Sequence, residues 1–187
     1  ADQAMLVRSV GTIVAQVQAM KQLVNEFRDY ARLPAAIPQP VDLNALVAEV
    51  LALYGDAQDR GQLAARCAAG LPLLRGDPSQ LRQVVHNLVQ NALDACAGRE
   101  DALVTVATEL ERHPDGRPRV VRLTVADNGP GFAEKVYKRA FEPYVTTKSK
   151  GTGLGLAVVK KIADEHGANV RIANLPARPG GDGPGGA

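Results

Sequence analysis

Hydrophobic residues recur along the first part of the chain with the spacing of a helix that packs against another helix. Between residues 1 and 33 the apolar positions follow each other at intervals of four and three: Ile13, Val17, Met20, Val24, Phe27 and Ala31. This heptad seam is narrow, so it buries little against a globular body but fits a partner helix. We therefore predict a helix of a coiled coil or four-helix bundle. The alternative is an ordinary amphipathic helix packed on the rest of the domain.

A proline-rich segment separates this helix from the rest of the chain. The stretch LPAAIPQP contains three prolines, which end the helix and predict a stiff, extended linker over residues 34–41. The domain boundary falls in this linker, and residues 42–187 form the second domain.

Two helices of the second domain are marked by residues typical of helix ends. Asp42 is predicted to cap a helix that closes at Gly55, and Asp77 a longer helix that ends at Gly98. The further predicted elements are strands over 62–69, 103–110, 119–127 and 169–174, and helices over 133–140 and 153–166. An Asp-Gly turn joins the second and third of these strands into a hairpin. Antiparallel strands with helices on one face indicate the α+β class.

Composition excludes several classes of protein. The 187 residues are 45% hydrophobic and 22% charged, which is the normal globular range. A net charge of +2 and the absence of tryptophan argue against a nucleic-acid partner. Cys67 and Cys96 lack metal-ligand spacing and are predicted to be reduced core residues. No apolar run approaches the roughly 18 residues of a membrane span, so we expect a membrane link only through absent N-terminal segments.

Polar residues line one edge of the apolar face of the helix after Asp77. Asn87, Asn91 and Asp94 stack along this edge, where two amides and a carboxylate could bind a hard cation or a polar ligand. The alternative is that they are helix-edge residues satisfied by neighbouring backbone. His86 is predicted on the solvent side of the helix, and no histidine of the chain has a nucleophile or metal ligands near it in sequence.

A carboxylate is predicted on the core face of the strand over 119–127. Val121, Leu123 and Val125 share that face, and Asp127 has the same parity. A buried carboxylate needs hydrogen-bond donors, which a ligand could supply, and the nearby glycines, Gly129 and Gly131, would let that ligand approach the backbone. The alternative is a carboxylate that caps its own Asp-Asn-Gly turn.

Three glycines precede the helix predicted over 153–166. Gly151, Gly153 and Gly155 leave backbone N–H groups unscreened at a helix start, where phosphate is attracted. Lys148 and Lys150 could add positive charge, although the alternative is a solvated loop. A carboxylate that could bind a nucleotide base, asparagines that could bind a cation and glycines that could bind phosphates together indicate Mg-ATP.

Four segments carry a resemblance to a known family: HNLVQNALDA (86–95), DNGPGF (127–132), FEPYVTTK (141–148) and GTGLGL (151–156). In this order they resemble the N, first glycine, F and second glycine boxes of sensor histidine kinases. The first helix also resembles the second helix of the dimerisation and phosphotransfer domain in nitrogen-regulation kinases of the NtrY type. The resemblance implies a two-layer ATP-binding sandwich of helices and a mixed, mainly antiparallel sheet, shared with gyrase, heat-shock protein 90 and mismatch-repair ATPases.

The resemblance also implies the roles of individual residues. Asp127 would accept from the adenine amino group, Asn91 would ligate Mg²⁺ with Asn87 assisting, and Phe141 would anchor a lid formed by residues 132–152. The implied ATP-binding residues are Asn87, Asn91, Asp94, Asp127, Gly129, Gly131, Phe141, Thr146, Thr147, Lys148, Gly151, Thr152, Gly153, Leu154, Gly155 and Leu156.

Two departures from relatives bear on the chemistry. Asn87 stands where hydrolysing relatives are expected to have a water-activating glutamate, and an amide cannot act as that base. None of His86, His113 and His166 has the acidic and Asn-Pro context of the phosphoacceptor. We therefore expect a fragment that lacks the first dimerisation helix and, after GPGGA, the final strand of the sheet.

The leading hypothesis is a catalytic domain that transfers the γ-phosphoryl group of ATP to a histidine on the absent helix. The partners would be a second copy of the parent protein in a homodimer and the receiver domain of a response regulator. The parent would be membrane-anchored, with this part in the cytoplasm. The alternatives are an ATPase or chaperone-like relative, and a nucleotide-binding and dimerisation module without chemistry.

Overall fold

The computed structural model describes residues 2–146 and 151–176, and these residues form an α+β arrangement of six α-helices and five strands. The helices are α1 (Asp2–Ala31), α2 (Leu43–Leu51), α3 (Gly55–Asp59), α4 (Pro78–Ala95), α5 (Glu134–Tyr137) and α6 (Gly155–Glu165). The strands are β1 (Gln39–Val41), β2 (Leu63–Cys67), β3 (Leu74–Gly76), β4 (Val104–Arg112) and β5 (Pro118–Asp127).

The main sheet has the order β2-β4-β5 and is mixed. β2 runs parallel to β4, whereas β4 and β5 form the predicted antiparallel hairpin. The register pairs Val104 with Asp127, which places the end of β5 beside the start of β4. A second, two-stranded antiparallel ribbon joins β1 to β3 and ties the linker to the chain just before α4.

The core lies between the main sheet and the helices. Val104 and Val106 of β4 are fully buried and belong to one hydrophobic cluster with Val85 and Val89 of α4. The apolar residues of β5 pack against the same cluster, which confirms the predicted core face of that strand. α6 buries its own apolar side, including Ile162, and packs on α4. α4 therefore contacts α2, α6 and the sheet, and is the central helix of the domain.

The long first helix is confirmed, and its seam is exposed to solvent. Ile13 is 61% exposed and Met20 is 65% exposed, so the heptad face does not pack on the domain. This exposure favours a partner helix over the alternative of an ordinary packed helix; the pairing itself stays a prediction. Among the described residues, no helix combines the length and apolar character that crossing a membrane requires.

The structure corrects three predictions about local structure. Gly55 does not close a helix: its φ is −50° and it begins α3, and the left-handed glycine that follows the helical region is Gly61, with φ of 69°. Cys67 is exposed because it ends β2 at the edge of the sheet, whereas Cys96 is buried as predicted. The helix predicted over 133–140 is reduced to the single turn α5.

Residues 169–174 were predicted to form a strand, and they have no regular secondary structure. A strand needs a backbone ladder, but here side chains make the connections. Asn174 accepts from Phe132 N at 2.8 Å and donates to Phe132 O at 2.9 Å. The hydroxyl of Tyr137 donates to Ile172 O at 2.9 Å. The segment therefore lies along the beginning of the loop that leads towards residue 146.

Asp77 connects three parts of the chain at the start of α4. Its Oδ1 caps the helix by accepting from Ser79 N at 2.9 Å and Gln80 N at 3.1 Å, and its Oδ2 accepts from Ile37 N of the linker at 2.9 Å. Its own N–H donates to His166 Nε2 at 2.9 Å. The hydrogen bond from Ile37 is the main reason that the pKa of the Asp77 carboxyl lies below its ordinary value of 3.8.

The imidazole of His166 is held in one tautomer by its two partners. Nε2 must accept because its partner is a backbone N–H, and Nδ1 must donate because its partner, at 2.8 Å, is the carbonyl of Ile162. Such a contact with a carbonyl of the last turn is common for a histidine at a helix C-terminus. The C-terminal end of α6 is thereby joined to the N-terminal end of α4.

We predict that Asp77→Ala destabilises the protein by about 2–3 kcal/mol, because it removes a helix cap and the link to the linker together. Asp42→Ala is the matched control: Asp42 caps α2 by accepting from Ala45 N at 3.0 Å, and its loss should cost about 1 kcal/mol. The free energy of unfolding by urea at pH 7 measures both.

The difference between these variants should shrink on acidification. The folded pKa of Asp77 is lowered, so the stabilisation by its ionised form is complete above about pH 4 and is lost as the pH falls below the ordinary value of 3.8. Equal losses for the two variants at pH 7 would contradict a linking role for Asp77.

Candidate functional site

The asparagine edge of α4 faces the beginning of α6. Asn87 Nδ2 donates to Gly155 O at 3.4 Å. A Cβ atom placed on Gly155 would lie 3.3 Å from Asn91 Nδ2, tighter than an ordinary van der Waals contact. Glycine at 155 therefore allows the start of α6 to approach both amides closely. The structure thus brings together two of the three predicted cation-binding residues with the glycine segment.

Asp94 lies on the exposed edge of the same helix. Its Oδ1 accepts from Gln90 Nε2 at 2.8 Å. Burial, with a smaller contribution from the charge of Asp94, raises the pKa of Tyr54 to about 12. The Tyr54 hydroxyl in turn lies 2.8 Å from Nδ1 of the exposed His86. Asp94 is therefore exposed on α4 and paired with Gln90, and its role in binding ATP stays a prediction.

Asp127 lies at the end of β5, beside the last turn of α4. Its Oδ1 accepts from Gly129 N at 2.8 Å, so the carboxylate caps its own turn. A Cβ atom on Gly129 would lie 2.7 Å from that Oδ1 and 3.0 Å from Ala95 O, so only glycine fits between the carboxylate and α4. Burial raises the pKa of the Cys96 thiol, and the charge of Asp127 raises it further. The structure thus shows the turn cap, the same turn holds the half-buried carboxylate next to α4, and the ligand role of Asp127 stays a prediction.

The carboxylate and the glycine segment contact neighbouring turns of one helix. Gly155 approaches Asn91, and Gly129 approaches Ala95, which is four residues further along α4. Four residues correspond to about 6 Å of helix axis. The edge of α4 between the Asp127 turn and the start of α6, called the groove below, is therefore flanked by a carboxylate at one end and by a helix start at the other.

Asn128 fixes the turn that carries Asp127, and sequence reasoning missed it. Its Oδ1 accepts from Leu103 N at 2.8 Å and from Cys96 Sγ at 3.4 Å, and its Nδ2 donates to Asp101 O at 2.7 Å. Its backbone N–H donates to Leu103 O at 3.1 Å. The Asp-Asn-Gly sequence indicates a turn, but the partners of the amide lie 25 residues and more away along the chain.

Gly153 is required by the path of the backbone. Its φ is 70°, and a Cβ atom there would lie 2.6 Å from the carbonyl carbon of Tyr144. Tyr144 N donates to Gly153 O at 2.9 Å, so two chain segments cross at this point. The expectation that Gly153 serves only to expose N–H groups is therefore incomplete: a side chain here would displace the segment at 144–145.

The start of α6 has the features expected of an anion site. The N-cap residue is Leu154, whose apolar side chain makes no capping hydrogen bond and is fully buried in the core. The first helical bond runs from Val158 N to Leu154 O at 2.9 Å. The N–H groups of the first turn, from Gly155 onward, have no acceptor within the helix, and the helix dipole favours negative charge beside them.

The last turns of α1 contact the glycine segment and α6. Thr152 Oγ1 donates to Glu26 Oε2 and accepts from Leu154 N at 3.3 Å. Lys161 Nζ donates to Tyr30 O at 2.9 Å and lies 5.4 Å from the centre of the Tyr30 ring.

Phe141 lies in a cleft of about 460 Å³ that Tyr30 and α6 also line. The predicted anchor of the loop therefore packs where the first helix meets the second domain.

The remaining predicted residues fall into two groups. The described ones are Gly131 with φ of 73°, the exposed Thr146, and the half-buried Gly151 and Leu156. Thr147, Lys148 and the further lysine Lys150 lie outside the described residues. Within the described ranges, no group of three or more His, Cys, Asp or Glu side chains could hold a metal ion.

Comparison with known proteins gives a family for this fold and site. Residues 76–185 match the family described as histidine kinase-, DNA gyrase B- and HSP90-like ATPase. Sensor histidine kinase ZraS of Escherichia coli O157:H7 is 33% identical over 172 residues, which are 88% of this chain and 36% of that protein. A putative NtrY-like sensor histidine kinase of Rickettsia conorii is 33% identical over 174 residues, 88% of this chain and 26% of that protein.

A solved structure is similar over the same extent. The crystal structure of full-length ShkA in complex with AMPPNP aligns with a TM-score of 0.65 and 34% identity, covering 86% of this chain and 34% of that chain. The chain thus spans about a third of the length of the first relatives that it matches.

We predict that Gly153→Ala destabilises the protein by at least about 1 kcal/mol more than Gly167→Ala. Both glycines have positive φ, but a Cβ atom at Gly167 would meet nothing within 4 Å, whereas one at Gly153 would collide with backbone. Gly167→Ala therefore isolates the cost of the backbone conformation, about 1 kcal/mol.

The measurements are urea unfolding and hydrogen exchange of the Tyr144 amide, which should lose protection only in the Gly153 variant. If the two variants were equally stable and equally protected, the close crossing at Gly153 would not exist in solution.

Proposed function

The chain belongs to the family of histidine kinase-, DNA gyrase B- and HSP90-like ATPases, as an ATP-binding catalytic domain of the sensor histidine kinase kind, and we propose that it phosphorylates a histidine from Mg-ATP. The observation that carries the proposal is the groove along α4, with Asp127 at one end and the uncapped start of α6 at the other. A carboxylate recognises an amino group on a base, and a helix start recognises phosphate.

In this groove each part of the nucleotide has a partner of suitable chemistry. The Asp127 carboxylate accepts from the adenine amino group, and Gly129 keeps the base close to the last turn of α4. The N–H groups at the start of α6 bind the phosphates, with Thr152 near the anionic end; Lys148 and Lys150 stay candidates from the sequence alone. Phe141, which lines a cleft together with residues of α6, serves as the anchor of the lid.

Asn91 and Asn87 suit a magnesium ion that is bound mainly through phosphate and water. Their amide oxygens are hard ligands on successive turns of α4, and both lie at the start of α6, where the phosphates would be. Mg²⁺ commonly uses one or two protein ligands beside nucleotide phosphates, so no cluster of acidic residues is needed. When bound, the ion would neutralise charge on the phosphates. The two asparagines would fix the position of the ion at the start of α6.

The side chain at position 87 favours transfer over hydrolysis. Asn87 Nδ2 donates to Gly155 O, and an amide is too weak a base to take a proton from water. Phosphoryl transfer relies on positioning and charge neutralisation, which this groove offers. The ATPase alternative would need another base in the groove.

The acceptor histidine is supplied from outside this sequence. His86 is exposed beside Tyr54, His166 is held between Asp77 and Ile162, and His113 lies in the exposed β4–β5 turn. The exposed seam of α1 suits a bundle with the first dimerisation helix and its copy in a homodimer, which would bring the acceptor to the groove. The response regulator's receiver domain then takes the phosphoryl group. We assign this part to the cytoplasmic side of a membrane-anchored parent.

Within the sensor kinases, we propose a place near the NtrY-like and ZraS proteins. The identity is 33% to both. A role in nitrogen regulation stays a prediction.

Transfer to histidine is tested by mixing the 187-residue chain with a protein that contains the first dimerisation helix of an NtrY-like kinase, together with γ-labelled ATP. We expect acid-labile label on the helix and none after replacement of its acceptor histidine. Asp127→Ala, which removes the adenine acceptor, should reduce labelling at least about tenfold.

Two other results would overturn the transfer proposal. Steady phosphate release by the chain alone, without labelled histidine, would indicate the ATPase alternative. Tight nucleotide binding with neither reaction, with helices from several NtrY-like and ZraS-like kinases, would indicate a binding module.

We predict that Asn91→Ala removes most of the gain in AMPPNP affinity that magnesium gives. Calorimetric titration with and without Mg²⁺ should show about a tenfold gain for the wild type and little for this variant, because an amide ligand is lost. Gln90→Ala, on the exposed side of the same helix, is the control and should keep the full gain. If Asn91→Ala kept the gain, the cation assignment would be wrong.

A further inference from the structure

Asn128 is the most highly connected side chain beside the carboxylate of the groove. Its amide reaches three separate places: the start of β4 at Leu103, the preceding turn at Asp101, and the end of α4 at Cys96. It lies between Asp127, whose carboxylate borders the groove, and Gly129, which touches Ala95. These contacts fix the peptide units on both sides of it relative to α4.

The pattern of donors and acceptors around Asn128 selects an amide. Leu103 N offers a proton and needs an acceptor at 2.8 Å, whereas Asp101 O needs a donor at 2.7 Å. A carboxylamide supplies one of each in fixed geometry. Aspartate would set an oxygen against the carbonyl of Asp101, and alanine would leave both backbone groups without their partner.

The position of the Asp127 carboxylate depends on these hydrogen bonds of the Asn128 side chain. Asp127 Oδ1 already caps Gly129 N, so the carboxylate moves together with the turn 127–129. The turn is held to β4 by the backbone bond from Asn128 N to Leu103 O, and to α4 by the Asn128 side chain through Cys96. Without the side chain the turn keeps its covalent links to β5 but loses its fixed distance from the last turn of α4.

We propose that Asn128 is a positioning residue that sets the preference of the groove for a 6-amino purine, by holding the Asp127 carboxylate at hydrogen-bonding distance from the amino group. The inference rests on the proposed function, because it takes Asp127 as the adenine acceptor. Asn128 itself contacts protein groups, and its effect on the nucleotide passes through Asp127.

The readout is the ratio of two dissociation constants, measured by calorimetry on the full chain. The probes are ADP and purine riboside 5′-diphosphate, which differ only in the 6-amino group and undergo no transfer. In the wild type the ratio should be about tenfold or more in favour of ADP, the value of a charge-assisted hydrogen bond. In Asn128→Ala it should fall to about twofold or less, as it should in Asp127→Ala.

The control is Asn44→Ala, which removes an amide with two hydrogen bonds to other segments of the chain. Asn44 Nδ2 donates to Ala68 O at 2.8 Å, and its Oδ1 accepts from Thr108 Oγ1 at 2.7 Å, at the other end of β2 and β4. This variant should lose stability but keep the tenfold ratio. If Asn128→Ala does not fold, Asn128→Ser, whose shorter hydroxyl reaches fewer partners, takes its place with an intermediate ratio expected.

The outcomes separate the inference from the proposed function. A wild-type ratio near one would overturn the assignment of adenine to Asp127, whatever Asn128 does. A tenfold wild-type ratio that persists in the folded Asn128 variants would overturn the positioning role alone. An equal fall of the ratio in Asn44→Ala would mean that general loss of stability, and not the hydrogen bonds of Asn128, controls the preference for ADP.

Discussion

The close approach of α6 and the Asp127 turn to a single helix is the constraint on which the site depends. α4 presents Val85 and Val89 to the core and Asn87 and Asn91 to the start of α6. A helix that is buried along one stripe cannot rotate without opening the core, because interiors are close-packed. The packing that stabilises the fold therefore also fixes the position of Asn87 and Asn91 along the groove.

The glycines around this helix serve different physical purposes although they look alike in the sequence. Gly155 and Gly129 allow close approach to α4, each at a position where a Cβ atom would press on Asn91 or on Ala95. Gly153 permits a left-handed backbone and a crossing with Tyr144. The N–H group of Gly155, in the first turn of α6, has no acceptor within the helix, whereas that of Gly129 donates to Asp127 Oδ1. A glycine-rich stretch can thus be structural and ligand-binding at once.

The contacts of α1 with the second domain connect the proposed dimerisation helix to the nucleotide groove. Glu26 accepts from Thr152, directly before the start of α6, and Tyr30 accepts from Lys161 within that helix. Gln80 in the first turn of α4 donates to Pro34 O of the linker at 2.8 Å. A change in the position of α1 would therefore act on the segment that is proposed to hold the phosphates, through hydrogen bonds that are few and breakable.

The sequence by itself determined the features that depend on local periodicity and local capping. The heptad spacing predicted α1, and Asp77 predicted the start of α4. The alternation of Val121, Leu123 and Val125 predicted the core face of β5. These signals succeed because a helix or a strand repeats its geometry every few residues. The spacing of apolar residues along the chain therefore shows which of them share a face.

Only the tertiary structure decided the features whose partners are distant in the sequence. Asn128 acts through Leu103, Gly153 through Tyr144, and the segment that ends at Asn174 binds Phe132 by a side chain where a strand was predicted. Cys67 was misjudged for the same reason, because burial at an edge strand depends on what packs there. Local pattern cannot encode which segments meet, since contact across the fold is set by the packing of the whole core.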